Sequence, residues 1–257
     1  MGSINAESPL SILLTLAYDG TNYAGWQRQE NALAVQQVLE EALAKLLGQS
    51  IIVRAASRTD AGVHALGQRV AFVAEHMPIP IDRLAQVLNT YLPADIVLQA
   101  ACFVEKDFNP RFRAKSKTYS YQIYNAPLAN PLQSRYSAFV PKALNVEKMS
   151  LAAAHFIGRH DFAAFCAAGS SAKTTVRRIF SCAVEQEGSL VRMTVSGDAF
   201  LYNMVRIIAG TILYVGMGKL QPGDVETIIA SKDRSKAGKT MPPEGLCLEE
   251  IVYEEEL

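Results

Sequence analysis

The sequence has no cysteines spaced to act together. Cys102, Cys166, Cys182 and Cys247 are its only four, and none form a CxxC pair, so neither a structural zinc site nor a dithiol redox centre is indicated. They read instead as buried free thiols of a reducing compartment. No secretory leader is expected, because Met1 to Glu7 is polar and has no basic beginning. The longest apolar stretch, Ile207 to Met217, is well short of the ~20 residues that a membrane span needs. These absences predict a soluble, cytoplasmic protein with no membrane partner. Net charge is also absent, with 25 basic residues against 25 acidic ones. That counts against a protein that coats nucleic acid nonspecifically, which would be basic overall.

Motifs for cofactors are lacking too. Ala237-Gly238-Lys239-Thr240 resembles the end of a phosphate-binding loop, but the first glycine such a loop requires falls on Asp233. His155 and His160 are five apart, with no cysteine or acid at metal-ligand spacing. No GxSxG element marks a serine hydrolase. The expectation is a chain with neither metal nor small-molecule cofactor.

What is present suits one large domain or two ordinary ones: 257 residues, 49% of them hydrophobic. The charges are unevenly spread. No acid occurs between Asp107 and Glu147, a stretch holding Arg111, Arg113, Lys115, Lys117, Arg135 and Lys142. None occurs between Asp161 and Glu185, where Lys173, Arg177 and Arg178 lie, while Glu249, Glu250, Glu254, Glu255 and Glu256 give the C-terminus the opposite excess. If the acid-free stretches share a face they make it positive; otherwise they are scattered solvated charge.

Hydrophobic spacing predicts strands at 11–18, 51–53, 68–73 and 95–104 and helices at 33–47 and 80–91. That order is strand, helix, strand, strand, helix, strand, the split βαβ or ferredoxin-like arrangement, with mainly antiparallel sheet and helices on one face. A looser second series follows: a strand at 117–124, a helix at 147–157, a hairpin at 179–195 turning at Glu187-Gly188-Ser189, helices at 203–216 and 222–230, and a strand at 247–253. Asn109-Pro110 breaks the pattern. The expected fold is therefore α+β, with two ferredoxin-like (βαββαβ) halves, residues 1–109 and 110–257, and an active-site cleft between them.

Four segments carry chemistry. Ser57-Arg58-Thr59-Asp60-Ala61-Gly62 links two predicted strands. Such a loop can hold a carboxylate against a substrate, or Asp60 can simply bond a turn backbone. In the second segment the 203–217 helix is apolar nearly all round, with Arg206 its only charge. Either that guanidinium is buried and meets a carboxylate, or it sits in the first turn and reaches solvent. Spacing does not choose its partner. The third, residues 111–121, alternates Arg111, Arg113, Lys115 and Lys117 with aromatic rings at strand spacing. Phosphates and a base can meet that pattern, or the rings can pack in a core, with Tyr119 and Tyr121 on one face. The fourth, residues 18–29, holds the only Trp and two glycines in a loop, either a binding surface or a turn that needs glycine.

Together these segments resemble the TruA-type tRNA pseudouridine synthases over essentially the whole chain after about residue 10. The elements occur in order: YDGTNYAGWQRQ (18–29), SRTDAGVHALGQ (57–68), FRAKSKTYSYQIYN (112–125), HDFAAFC (160–166), FLYNMVRIIAGTI (200–212) and MPPEGLCLEEIVY (241–253). Met241 stands where a small residue such as alanine is expected. The resemblance implies isomerisation of uridine to pseudouridine at positions 38, 39 and 40 of the tRNA anticodon stem-loop, by a homodimer without cofactor. It implies Asp60 as the catalytic aspartate, Tyr119 as the active-site tyrosine, Arg206 as the aspartate's partner and Arg58 as the residue that helps displace the target base. It leaves Arg111, Arg113, Lys115 and Lys117 as further substrate contacts.

Overall fold

The computed structural model describes residues 9–254. The polar N-terminal residues and Glu255 and Glu256 lie outside the described residues. The chain forms two compact units, one from Met1–Lys115 with Leu248–Leu257 and one from Ser116–Cys247. Each is mixed α+β, with mostly antiparallel sheet.

In the first unit β1 (Leu10–Tyr18) is central, between β3 (His64–Ala74) and β4 (Ile96–Val104), and β2 (Arg54–Ala55) adds to the outer side of β3. Every one of these pairings is antiparallel. Ile12, Leu13, Leu14 and Leu16 of β1 are almost wholly buried, as a strand covered on both sides requires. Helix α1 (Val35–Leu47) buries Val35, Leu39, Leu43 and Leu47 at helical spacing. Gly48, at φ 66°, ends it with a backbone bond to Ala44.

Two elements are shorter than their hydrophobic patterns predict. Residues 51–53 do not join the sheet. The Val53 N–H donates to Glu40 Oε1 at 3.2 Å, and Gln36 Nε2 reaches its carbonyl at 3.5 Å. Side chains of α1 thus satisfy a backbone that would otherwise need a strand partner. The 80–91 helix reduces to a 3-10 turn, Ile81–Arg83, and the five-residue α2 (Leu84–Leu88). The Asn89 amide stops it, accepting from Leu98 N at 2.8 Å and donating to Leu98 O at 2.9 Å, so that it pairs like a strand residue with β4.

The short helix α3 (Pro110–Arg113) falls where an extended, alternating segment was expected. Asn109 caps it by accepting from Arg111 N, and Pro110 fills the first position.

The second unit orders its strands β5 (Ser116–Asn125), β9 (Leu190–Gly197), β8 (Val176–Glu187) and β7 (Gly158–Asp161), with β6 (Ala138–Val140) parallel to β5. The β8–β9 hairpin turns at Gly188, φ 57°. Three helices belong to this unit: α4 (Val146–Ala154), α5 (Met204–Gly216) and α6 (Asp224–Ser231). Helix α5 is buried nearly all round. At Gly210 the 237–241 segment crosses it so closely that a Cβ would lie 1.9 Å from the Lys239 carbonyl oxygen. Gly238 faces Gly210 in the same crossing, and its N–H donates to Thr211 Oγ1 at 2.8 Å. The Gly-Lys-Thr sequence is therefore a helix-crossing device. The last strand, β10 (Leu246–Val252), completes the chain's elements.

Asp161 ties this unit together locally. Its Oδ1 accepts from Thr175 Oγ1 at 2.5 Å and Ala163 N at 3.2 Å, and Oδ2 lies 2.9 Å from Lys232 Nζ. The Thr175 hydroxyl, and after it Lys232, hold the carboxyl below its ordinary value. A depressed folded value means the stabilisation is present above the unfolded carboxylate value and is lost as pH falls through the folded one. Asp161→Asn is expected to cost about 1 kcal/mol at pH 7. The gap to wild type should close as pH falls below the ordinary carboxylate range in a pH series of thermal midpoints. A gap constant across that range would contradict the assignment.

Candidate active site

Asp60 sits half-buried in the loop between β2 and β3, and the chain on either side of it is fixed by backbone and buried side chains. Ala56 N donates to Arg69 O at 2.8 Å, and Val63 N to Asp60 O at 3.1 Å. The Gln68 amide donates to Ser57 O at 2.7 Å, and the hydroxyls of Tyr18 and Thr59 are 2.7 Å apart. Gln68 and Thr59 are themselves buried, so these bonds are made away from competing water.

The 18–29 segment, ambiguous as a bare pattern, is the brace for this loop. Trp26 N donates to Thr59 O at 3.0 Å, and Gly62 N donates to Tyr23 O at 3.2 Å. Gly25, at φ +94°, passes where a Cβ would lie 2.6 Å from Thr59 O. Trp26 is 2% exposed, so the one tryptophan packs rather than offering a stacking surface. Burial, helped by the Asp95 and Asp19 carboxylates, pushes the Tyr23 phenol above its ordinary value. It stays protonated and donates to Asp95 Oδ1 at 2.7 Å.

Arg58, two residues before Asp60, is exposed. Of the other basic residues in this unit, Arg113 pairs with Glu105 and Lys115 with Glu254. Arg111 is exposed, lies over the Phe112 ring and has no acidic partner among the described residues. Phe112 is 79% exposed, which the helical turn at Pro110 explains.

In the second unit Lys117 and Tyr119 lie on β5 and are buried, as is Tyr121. The shared face expected of the two tyrosines is therefore the inward one. The Tyr119 ring meets Phe200 edge-on, centroids 5.2 Å apart. Arg206 occupies the first turn of α5 and is half-buried. Its Nε donates to Met241 O at 2.6 Å and its Nη1 to Asn203 Oδ1 at 2.7 Å, while Met241 N returns a bond to Arg206 O at 3.2 Å. Asn203 adopts φ 59° to present that amide. The next residue in the strap, Pro242, accepts the Tyr121 hydroxyl at 2.7 Å. Arg206 thus reads the main chain of Met241, and the unexpected methionine leaves its orientation untouched.

Sequence reasoning missed these supporting groups: Tyr18, Trp26, Thr59 and Gln68 in one unit, and Asn203 and the Met241 carbonyl in the other. The glycines of 18–29 were the only signal, and they do not say which loop they approach.

The described residues hold no group of three His, Cys, Asp or Glu placed to share a metal ion. No helix among them is long and apolar enough to cross a membrane. A rigidly braced carboxylate loop is the kind of support that a catalytic group needs. Residues 15–113 and 152–254 match the family model of tRNA pseudouridine synthases. The chain is 49% identical over 243 residues to the tRNA pseudouridine synthase A of Ruminiclostridium cellulolyticum, covering 94% of this chain and 99% of that protein. It is 48% identical over 242 residues to that of Geotalea uraniireducens, with 94% and 99% covered. It is 46% identical over 243 residues to that of Caldicellulosiruptor bescii, with 95% and 99% covered. The chain belongs to the tRNA pseudouridine synthase family and is an isomerase that modifies tRNA.

Proposed function

We propose that this chain converts uridine to pseudouridine at positions 38, 39 and 40 of the tRNA anticodon stem-loop, with Asp60 as its catalytic carboxylate and no cofactor. The observation that carries this reading is the bracing of the Asp60 loop by a second loop, through backbone bonds and a glycine contact that leave little room for movement. Catalytic groups need such rigid support.

The reaction breaks the bond from base N1 to ribose C1′, turns the uracil and joins its C5 to C1′. The C5 hydrogen leaves and N1 gains a proton, so atoms balance without oxidant or donor. Charge on the sugar grows as the glycosidic bond opens, and an ionised Asp60 stabilises or captures it. The target base must first leave the stack, at a cost of a few kcal/mol. The exposed Arg58 is suited to fill the vacated space. The resemblance makes Tyr119 the active-site tyrosine, whose ring can stack on uracil, and Arg206 the partner of the aspartate. We further propose a cytoplasmic homodimer and two ferredoxin-like halves that divide at Lys115 rather than at residue 109, with residues 248–257 returning to the first. The first-unit order β4-β1-β3-β2 supports that reading of the first half.

The test is release of tritium from tRNA labelled at uridine C5. Release with recovery of intact tRNA, modified at 38–40, is the expected result. No release would leave a tRNA-binding protein without this chemistry. Free uracil would indicate a glycoside hydrolase, a chemistry that usually needs two facing carboxylates.

Phosphate contacts are tested separately. Arg111→Ala is expected to weaken tRNA binding and to flatten the log K against log salt slope by about 1. Arg113→Ala should do less, because Glu105 already neutralises that charge. Filter binding across a salt series reads both, and equal losses would remove the distinction.

A further inference from the structure

We propose that His64 is a positioning residue for the Asp60 loop, acting through Nδ1 on the turn that follows β1. The inference rests on the reading of Asp60 as the catalytic carboxylate. His64 opens β3, four residues beyond Asp60, and is 6% exposed. Its Nδ1 accepts the Gly20 N–H at 3.1 Å and also lies 3.1 Å from Asp19 Oδ1. One ring nitrogen therefore faces a donor and an acceptor. With a lone pair at Nδ1 the ring holds Gly20; with a proton there it holds Asp19. Asp19 Oδ1 is already shared with Thr21, accepting from its N–H at 2.9 Å and its hydroxyl at 2.5 Å. In either state the ring anchors the 19–21 turn.

That turn lies directly on the catalytic loop. A Cβ on Gly20 would be 2.0 Å from Val63 O, and Val63 N donates to Asp60 O at 3.1 Å. Three residues on, Tyr23 O holds Gly62 N at 3.2 Å. The line from His64 through Gly20 and Val63 to Asp60 consists of direct contacts, and the group that starts it is a nitrogen at the δ position. A side chain that merely fills space needs no polar atom there. The Asp60 loop has hydrogen bonds of its own, so the role of His64 is to set the loop's place, not to hold the fold.

The position of the nitrogen makes the test specific. Asparagine puts a polar atom where Nδ1 lies; glutamine puts one near Nε2. His64→Asn is expected to keep kcat for tritium release within about 3-fold of wild type, and His64→Gln to lower it by about 30-fold, in keeping with the cost of a sub-ångström to 1 Å misplacement. KM for tRNA should stay within about 2-fold in both, because the ring is buried. Equal kcat values for the two variants, or a loss expressed in KM alone, would overturn the proposal. Amide exchange supplies a readout independent of activity: Gly20 and Val63 should lose protection by about 10-fold in His64→Gln and keep it in His64→Asn. A wild-type protein that releases no tritium defeats the reading of Asp60, and the exchange comparison still decides whether His64 holds the loop. Equal exchange in the two variants counts against it.

Discussion

Asp60→Asn is expected to lower the rate of tritium release by about 10⁴-fold or more, the usual scale for losing one member of a catalytic unit. Asparagine keeps the size of the side chain and removes its charge. It can neither capture the sugar nor balance an oxocarbenium-like centre. The loop itself should survive. Its shape is held by Trp26 N on Thr59 O, by Gly62 N on Tyr23 O and by the buried Gln68 amide on Ser57. The thermal midpoint should therefore shift by no more than about 4 °C, equivalent to roughly 1 kcal/mol in a chain of this size. Tritium release under single-turnover conditions, alongside a melting curve, reads both effects. Activity within 10-fold of wild type in a folded variant would remove Asp60 from the mechanism.

The second large effect is expected at Gly25, which touches no substrate in this reading. Gly25→Ala forces a side chain onto a backbone at φ +94° and places its Cβ 2.6 Å from Thr59 O. The conformation costs about 1–2 kcal/mol. Relieving the contact costs about as much again. The atom in the way is backbone of the Asp60 loop, so it yields only if the loop moves. A displacement of about 1 Å there is expected to lower kcat by about 100-fold. The midpoint should drop by roughly 6–12 °C for a loss of about 3 kcal/mol. Gly48→Ala is the control. It also has positive φ, 66°, but nothing lies within 4 Å of the added Cβ. It should show the conformational cost alone and wild-type kcat. If both variants lost activity equally, the close approach at Gly25 would not be the cause.

Much of the frame is legible as periodicity. Strand β1, helix α1, helix α5 and the β8–β9 hairpin fall where runs of apolar residues and glycine stops place them. Each depends on contacts local in sequence or on one continuous buried face. The departures share a cause. Residues 51–53, the end of α2 and the Pro110 turn are decided by polar side chains, Glu40, Asn89 and Asn109, that satisfy backbone groups. Hydrophobic spacing does not register those bonds. The Asn-Pro step before Arg111 did carry a readable signal, a cap followed by proline at the first helical position. The alternation of basic and aromatic residues obscured it.

By itself the sequence determined the family, the loop that carries Asp60, and the apolar helix with a single arginine. These are properties of short segments whose residue order is their signature. Only the tertiary structure decided what holds them. It set the 18–29 loop against residues 59–62, seated Arg206 on the Met241 carbonyl, and turned Gly238 into a helix-crossing residue. Each of these engages a backbone group of a segment about 30 or more residues away. Backbone groups are the same in every residue, so no side-chain pattern announces which two will meet.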